Sequence, residues 1–184
     1  MPLIDIPETT VAPADGPVDT RTELARCHAD CVGWALACCG FDRAEAEDVL
    51  QASYLKVLDG RAVFSGRSTF RTWLFGVIRR TAAEHRRRGF VRRLVRLTPA
   101  HDERAVTAEP AALDALVARE GLDELRRALQ RLPLRQRQVL HLVFQQSLTI
   151  QGAAAVLGVS LGSARTHYER GKARLRALLA GERE

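Results

Sequence analysis

Apolar positions recur at three-and-four spacing along almost the whole chain, while strict alternation is nearly absent, so the pattern predicts an all-α fold. Leu24, Cys27, Cys31, Ala35 and Cys38 mark a helix from Thr20 to Cys39, ended by Gly40. Asp42 with Glu45 three places on resembles a capping box. It opens a second helix whose buried stripe is Ala46, Val49, Leu50, Ser53, Tyr54, Val57 and Leu58, with a stop at Asp59-Gly60. A third helix is predicted from an N-cap at Ser68 to a stop at Gly89. It carries Phe70, Trp73, Leu74, Val77, Ile78, Thr81, Ala82 and His85 on one face. Farther on, Leu122, Leu125, Leu129 and Leu132 form a stripe stopped by Pro133, and Val139, Leu140, Val143 and Phe144 form another. Thr149 caps a short helix to Leu157, Gly158-Val159-Ser160 makes a tight turn, and Ser160 caps a longer helix, which is a helix-turn-helix pattern. Ala154 and Gly158 are small where those helices approach, and Val159, Ala164 and Tyr168 face inward.

These elements divide into two small helical domains joined by a flexible linker. Residues 1–18 hold four prolines and no apolar period, and read as a mobile tail. Residues 19–96 form the first domain and 120–184 the second. Residues 97–119, with Pro99, Asp102, Glu103, Glu109 and Pro110, read as a linker with at most a short helix. Fully extended at about 3.3 Å per residue, such a linker spans about 75 Å, or about two turns of duplex DNA.

Charge sharpens the picture. The 184 residues carry a net +6 with a pI near 9.8, and from Arg79 to Arg96 eight arginines face one acid, Glu84. A mixed charge run is usually a solvated face, but a one-sided run repels itself unless a polyanion compensates it, which points to nucleic acid. Arg165, His167, Arg170, Lys172, Arg174 and Arg176 make the outer face of the last helix equally basic, where an ordinary helical hairpin needs no such bias. No apolar run reaches eighteen residues and the first eighteen lack a signal-peptide pattern, so a cytoplasmic protein without membrane insertion is expected. Cys27, Cys31, Cys38 and Cys39 cluster with His28. Lacking a CxxC or a second ligand pair, they fit small packing residues better than a metal or thiol site. No phosphate loop, positioned nucleophile or carboxylate pair is present, so neither enzyme activity nor a metal or other cofactor is expected.

Several stretches resemble the extracytoplasmic-function (ECF, group IV) sigma factors of the sigma-70 family. AEAEDVLQASYLKVL resembles region 2.2, FSGRSTFRTWLFGVIRRTAAEHRRR resembles regions 2.3 and 2.4, and LQRLPLRQRQVLHLVFQQSLTIQGAAAVLGVSLGSARTHYERGKARLRALL resembles region 4. A lone helix-turn-helix is weak, whereas RTWL, a basic helix, LPLRQRQV and LGVSLGSAR in this order are highly specific. The resemblance implies a subunit without an active site of its own, one that binds core RNA polymerase, recognises promoter DNA and helps open it.

It also implies roles for residues. Asp48, Gln51 and Tyr54 fall where the family touches the largest polymerase subunit; Ala52 stands where an acid is usual. Phe64, Ser65, Gly66, Arg67, Ser68 and Arg71, with Arg79 and Arg80, match the part that reads the single-stranded −10 element. Arg80 replaces a common asparagine, and Trp73 is assigned to the core rather than to base stacking. Arg86, Arg87 and Arg88 are expected on the DNA backbone, as are Lys172 and Arg174. Arg165, Thr166, His167, Glu169 and Arg170 match the readers of the duplex −35 element. The linker acids Asp102 and Glu103 are expected to run toward the RNA exit path, and an anti-sigma factor to control release, with control by expression alone as the alternative. Two alternatives belong to other classes: a regulator using the helix-turn-helix without recruiting polymerase, and a thiol- or metal-dependent enzyme built on the cysteine cluster.

Overall fold

The structure is a computed structural model that describes residues 19–95 and 113–181, with side chains over 19–90 and 122–181. Every element among the described residues is an α-helix: α1 (Thr20–Arg26), α2 (His28–Cys38), α3 (Arg43–Leu58), α4 (Phe70–Val95), α5 (Leu113–Gln130), α6 (Leu134–Phe144), α7 (Ile150–Leu157) and α8 (Leu161–Gly181). The expected tail (1–18) and the linker acids Asp102 and Glu103 lie outside the described residues.

Local chemistry explains most boundaries. Asp42 Oδ1 accepts from the Glu45 amide at 2.9 Å, which satisfies one orphan donor at the start of α3. Thr149 Oγ1 does the same for Gly152 at 3.0 Å on α7, and Ser160 Oγ for Ser163 at 3.2 Å on α8. Between the last two helices Gly158 closes α7 in the left-handed region, φ 59°.

Three expectations are corrected. The helix predicted over Thr20–Cys39 bends at Cys27, whose own φ,ψ of −90°, 0° divides it into α1 and α2. Thr69 rather than Ser68 caps α4, its Oγ1 accepting from the Thr72 amide at 3.2 Å, while the Ser68 hydroxyl donates to the Thr69 carbonyl. Gly89 does not stop α4, which runs on to Val95; a helical glycine costs only about 1 kcal/mol, and good helix formers precede it. Helix α5 begins at Leu113, within the stretch read as a linker with at most a short helix.

The helices form two groups. In the first, α2 packs on α3 and α4; in the second, α6 and α7 pack on α8. Gly171 makes the latter approach possible, because a Cβ there would stand 3.2 Å from Leu140 Cδ1 and 3.3 Å from Gln136 Cβ. The two groups then dock, α2 against α6 and α4 against α7. Their cores merge into one apolar cluster that runs from Trp34, Phe75 and Ile78 to Val139, Leu142, Ala153, Val156 and Leu157. Phe75, off the predicted stripe of α4, is fully buried: its ring lies 6.0 Å from that of Trp34 on α2 and 5.5 Å from the Arg71 guanidinium, while α4 also meets α7. Burying a side chain of that size contributes about 1.5–3 kcal/mol.

Candidate nucleic-acid interface

The basic residues of α4 lie on two different faces. On the outer face, Arg80 is exposed and borders a cavity of about 470 Å³ lined by Lys56, Arg61, Ala62, Val63, Trp73, Val77, Thr81 and Glu84. Lys56 Nζ donates to Glu84 Oε2 at 2.6 Å and to Thr81 Oγ1 at 3.1 Å, so one wall is an ordered donor–acceptor set. The hydrogen bond from Lys56 holds the Glu84 carboxyl below the usual carboxylate range. The facing wall is aromatic. Trp73 is half-buried, with its ring centroid 5.4 Å from Phe64 and 5.2 Å from Phe70. Phe64 in turn meets Phe70 edge-on at 5.5 Å, which anchors the base of the loop. Ser65, Gly66, Arg67 and Ser68 project beyond this cluster and are exposed. Trp73 thus packs against the core and also borders the cavity.

On the opposite face, the docked helices occupy the cations. Arg71 Nη1 donates to Asp30 Oδ2 at 3.1 Å and its Nη2 to the Gln146 carbonyl, and its guanidinium lies 5.5 Å from the Phe75 ring centre. Arg79 Nε donates to the Val156 carbonyl at 2.9 Å. Burial first, then the charges of Arg135 and Arg80, pull the Arg79 pKa down. Arg86 Nη1 donates to the Cys38 carbonyl at 2.9 Å, while Arg87 and Arg88 are exposed. Of the −10 and backbone residues expected on α4, the structure therefore groups Arg80, Arg87 and Arg88 on accessible surface. Arg71, Arg79 and Arg86 are held within the fold.

The helix-turn-helix shows a cleaner outward face. Arg165, Thr166, Glu169 and Arg170 are exposed on the N-terminal half of α8, and His167 is half-buried beside them. The Thr166 hydroxyl donates to the Gly162 carbonyl at 3.0 Å, leaving the guanidinium groups as the principal outward donors. Lys172 instead turns toward Glu169, 3.5 Å away, and lies 4.9 Å from the Tyr168 ring centre. Arg174 is exposed. Phe144, expected in an apolar stripe, is 60% exposed and stacks on Tyr168 at 5.9 Å.

Helix α3 presents a third surface. Asp48 and Gln51 are exposed, but Tyr54 points to the other side, its hydroxyl 3.1 Å from His28 Nδ1. Burial raises the Tyr54 pKa. In its place two leucines share the outer face, Leu55 at 55% and Leu58 at 49% exposure. Leu58 was expected in the buried stripe; it lies in the last turn, beyond the cover of α4. Leu55 was not singled out by periodicity, because a lone leucine out of phase gives no signal. The lining residues Lys56, Thr81 and Glu84 were missed for a similar reason: they approach one another only across α3 and α4.

The cysteines are packing residues. All four are buried and free, and burial pushes the Cys31 and Cys38 thiols up to about 12 and raises Cys27 and Cys39 as well. Among the described residues no group of three or more His, Cys, Asp or Glu side chains is arranged to hold a metal ion, and no helix is long and apolar enough to cross a membrane.

Fold and surface together define an all-helical DNA-binding protein of two modules, one with a helix-turn-helix and one with a basic helix beside an aromatic-walled cavity. Residues 25–90 match the family model "Sigma-70 region 2" and residues 122–175 match "Sigma-70, region 4". The ECF RNA polymerase sigma factor SigX of Bacillus subtilis is 33% identical over 132 residues, 71% of this chain and 68% of that protein. CarQ, an RNA polymerase sigma factor of Myxococcus xanthus, is 33% identical over 175 residues, 92% and 94% of the two chains. Among solved structures, RpoE of Bartonella quintana in complex with the anti-sigma factor NepR superimposes with a TM-score of 0.69 at 23% identity, over 88% of this chain and 97% of that one. The chain belongs to the extracytoplasmic-function sigma factors of the sigma-70 family. It is an RNA polymerase sigma factor, a partner of core polymerase and of promoter DNA in transcription initiation.

Proposed function

We propose that this sigma factor divides its work among three surfaces. The loop Phe64–Ser68 with Arg71, Arg79 and Arg80 takes the opened −10 strand, Arg80 from the accessible face of α4 and Arg71 and Arg79 from the face packed on the docked helices. Arg165, Thr166, His167, Glu169 and Arg170 read the duplex −35 element, and Arg86, Arg87, Arg88, Lys172 and Arg174 meet phosphates. The exposed face of α3, Asp48 and Gln51 joined by Leu55 and Leu58, meets core polymerase, while Tyr54 supports it from behind.

The observation that carries the −10 reading is the cavity beside Arg80. Its volume of about 470 Å³, its Trp73 wall and its Lys56–Glu84–Thr81 edge suit an unstacked base held by ring contact and hydrogen bonds. Extruding a base costs a few kcal/mol, and an aromatic contact returns about 1–3 kcal/mol, so the neighbouring arginines and polymerase must contribute the rest. The protein supplies binding energy and no covalent chemistry. It acts in the cytoplasm, and an anti-sigma factor, as the solved RpoE relative carries, regulates it.

The test is transcription from promoter libraries by purified core polymerase with this protein, with thymine reactivity to permanganate as the measure of opening. Expected are discrete start sites, and an Arg80→Ala protein that still binds polymerase but opens the −10 region less. Transcripts no more specific than those of core alone sink the reading.

A further inference from the structure

Helix α4 outlasts its supports. Glu84 is bonded to Lys56 of α3, and Arg86 donates to the Cys38 carbonyl at 2.9 Å. Beyond them Arg87, Arg88 and Phe90 are exposed, Phe90 at 65%. A Cβ placed on Gly89 would meet nothing within 4 Å, so the space beside this turn is open. The backbone nevertheless stays helical to Val95, which is about 14 Å past Arg86 at about 1.5 Å per residue. From Arg86 to Arg96 the sequence holds six arginines and no acid.

The order of residues in this overhang is not that of a purely cationic surface. At about 100° per residue, Phe90, Val91, Leu94 and Val95 fall within one arc of about 140°, and Arg92 and Arg93 fall opposite. Arg87 and Arg88 come one turn earlier. Nucleic acid would neutralise the arginines and leave the apolar arc in water. An anionic bilayer surface takes both. Apolar side chains reach the boundary between headgroups and acyl chains, while guanidinium groups stay among the lipid phosphates on their flexible stems. Each arginine near such a surface adds its own attraction. No other described face combines these features: the exposed leucines of α3 lie beside Asp48, and the cations of α8 include Glu169 among them. Among the described residues no helix is long and apolar enough to cross a membrane, so the mode is adsorption of a helix end on the surface.

We infer that the end of α4, from Arg87 to Val95, is an amphipathic docking element for an anionic phospholipid surface, with Phe90 as its apolar anchor. The partner is recognised by two properties together, negative headgroups and an accessible hydrocarbon boundary.

The test is cosedimentation of the full-length protein, without DNA, on vesicles of phosphatidylglycerol and phosphatidylcholine in equal parts and on vesicles of phosphatidylcholine alone. Saturable binding to the anionic vesicles, weakening as salt is added, and none to the neutral ones is expected. Arg87 and Arg88 are left unaltered, since they also belong to the proposed DNA-backbone set. Phe90→Asp lies outside the core, and should keep the parent's unfolding temperature while lowering affinity for the anionic vesicles about tenfold or more. Phe90→Trp reports location: relative to the parent, which has Trp34 and Trp73, it should gain emission that moves to shorter wavelength on anionic vesicles and is quenched by lipids brominated near the top of the acyl chain. If Phe90→Asp fails to fold, that quenching decides. Absence of binding to the anionic vesicles overturns the inference, as does a Phe90→Trp emission that no brominated lipid quenches. Equal vesicle affinity of Phe90→Asp and the parent also overturns it, and a simultaneous loss of affinity for a random-sequence DNA duplex in that variant assigns the overhang to DNA instead.

Discussion

His141 of α6 faces Trp34 of α2 across the junction of the two modules, with ring centroids 5.6 Å apart. Trp34 is fully buried and its Nε1 donates to the Phe75 carbonyl at 2.9 Å, so the indole is fixed by α4 and presents its face to the imidazole. His141 Nε2 lies 3.3 Å from Gln146 Nε2, and its ring touches the space above Gly33, where an added Cβ would be 3.6 Å from Cε1. A neutral imidazole suits this setting; an imidazolium does not.

A pH dependence follows. Burial lowers the His141 pKa to about 4, against a weaker opposing pull from Asp30. The unfolded chain takes up that proton below about pH 6.5, while the native chain resists until about pH 4. The native state is therefore fully favoured above pH 6.5 and loses stability as the pH falls from there toward 4, by up to about 3 kcal/mol. Urea titrations between pH 7.5 and 4.5 should show the midpoint falling, and His141→Gln should flatten this part of the profile. An unchanged slope in the variant assigns the acid sensitivity elsewhere.

Gly158 makes a sharper stability probe than most turn residues. It combines a left-handed φ of 59° with a neighbour at 3.3 Å from a built Cβ, the Arg79 guanidinium. Gly158→Ala should cost about 1–2 kcal/mol from backbone strain, with a further displacement of Arg79. Thermal unfolding measures the first part. Gly152→Ala, at normal φ and with an ordinary 3.4 Å contact to Thr149 Oγ1, serves as the mild comparison.

The outer face of α3 tests polymerase binding apart from folding. Leu55 is more than half exposed, so Leu55→Asp leaves the core intact and its unfolding temperature should stay close to the parent's. An apolar anchor at the centre of an interface is worth about 2 kcal/mol or more, so affinity for core polymerase should fall at least about thirtyfold. Equal affinity of both proteins in a competition assay removes Leu55 from the contact.

The helices and the helix-turn-helix were legible because 3.6-residue periodicity and capping side chains are local. Asp42, Thr149 and Ser160 each bond an amide three residues away, and a sequence shows that spacing directly. What remained hidden depends on long-range packing. Phe75 lies outside the stripe of α4 and is buried against Trp34 of α2, some forty residues upstream. The arginines of α4 looked equivalent in the sequence, yet a rotation of one residue, from Arg79 to Arg80, separates a cation held by the Val156 carbonyl from one exposed beside a cavity. Tyr54 shows the converse: its phase on α3 put it in the buried stripe, and it packs there beside His28 rather than beside Gln51. The resemblance carried the family, and the geometry was needed to tell apart side chains of identical chemistry.

Arg165 and Arg174 lie on one helix and should fail in different ways. Both are exposed, but Arg165 stands near the start of α8, just past the turn fixed by Gly158 and Ser160, where a recognition helix enters the major groove. A bidentate guanidinium–guanine contact discriminates by about 1–3 kcal/mol, so Arg165→Ala should narrow the gap between the preferred −35 duplex and a substituted one. Arg174 lies more than two turns further along, suited to phosphate. Arg174→Ala should weaken every duplex by a similar factor and reduce the slope of log affinity against log salt by about 0.9. Titrations of both variants against two duplexes at three salt concentrations separate these behaviours. Uniform weakening by Arg165→Ala with an unchanged preference reassigns it to the backbone, and a changed preference in Arg174→Ala makes that residue the reader.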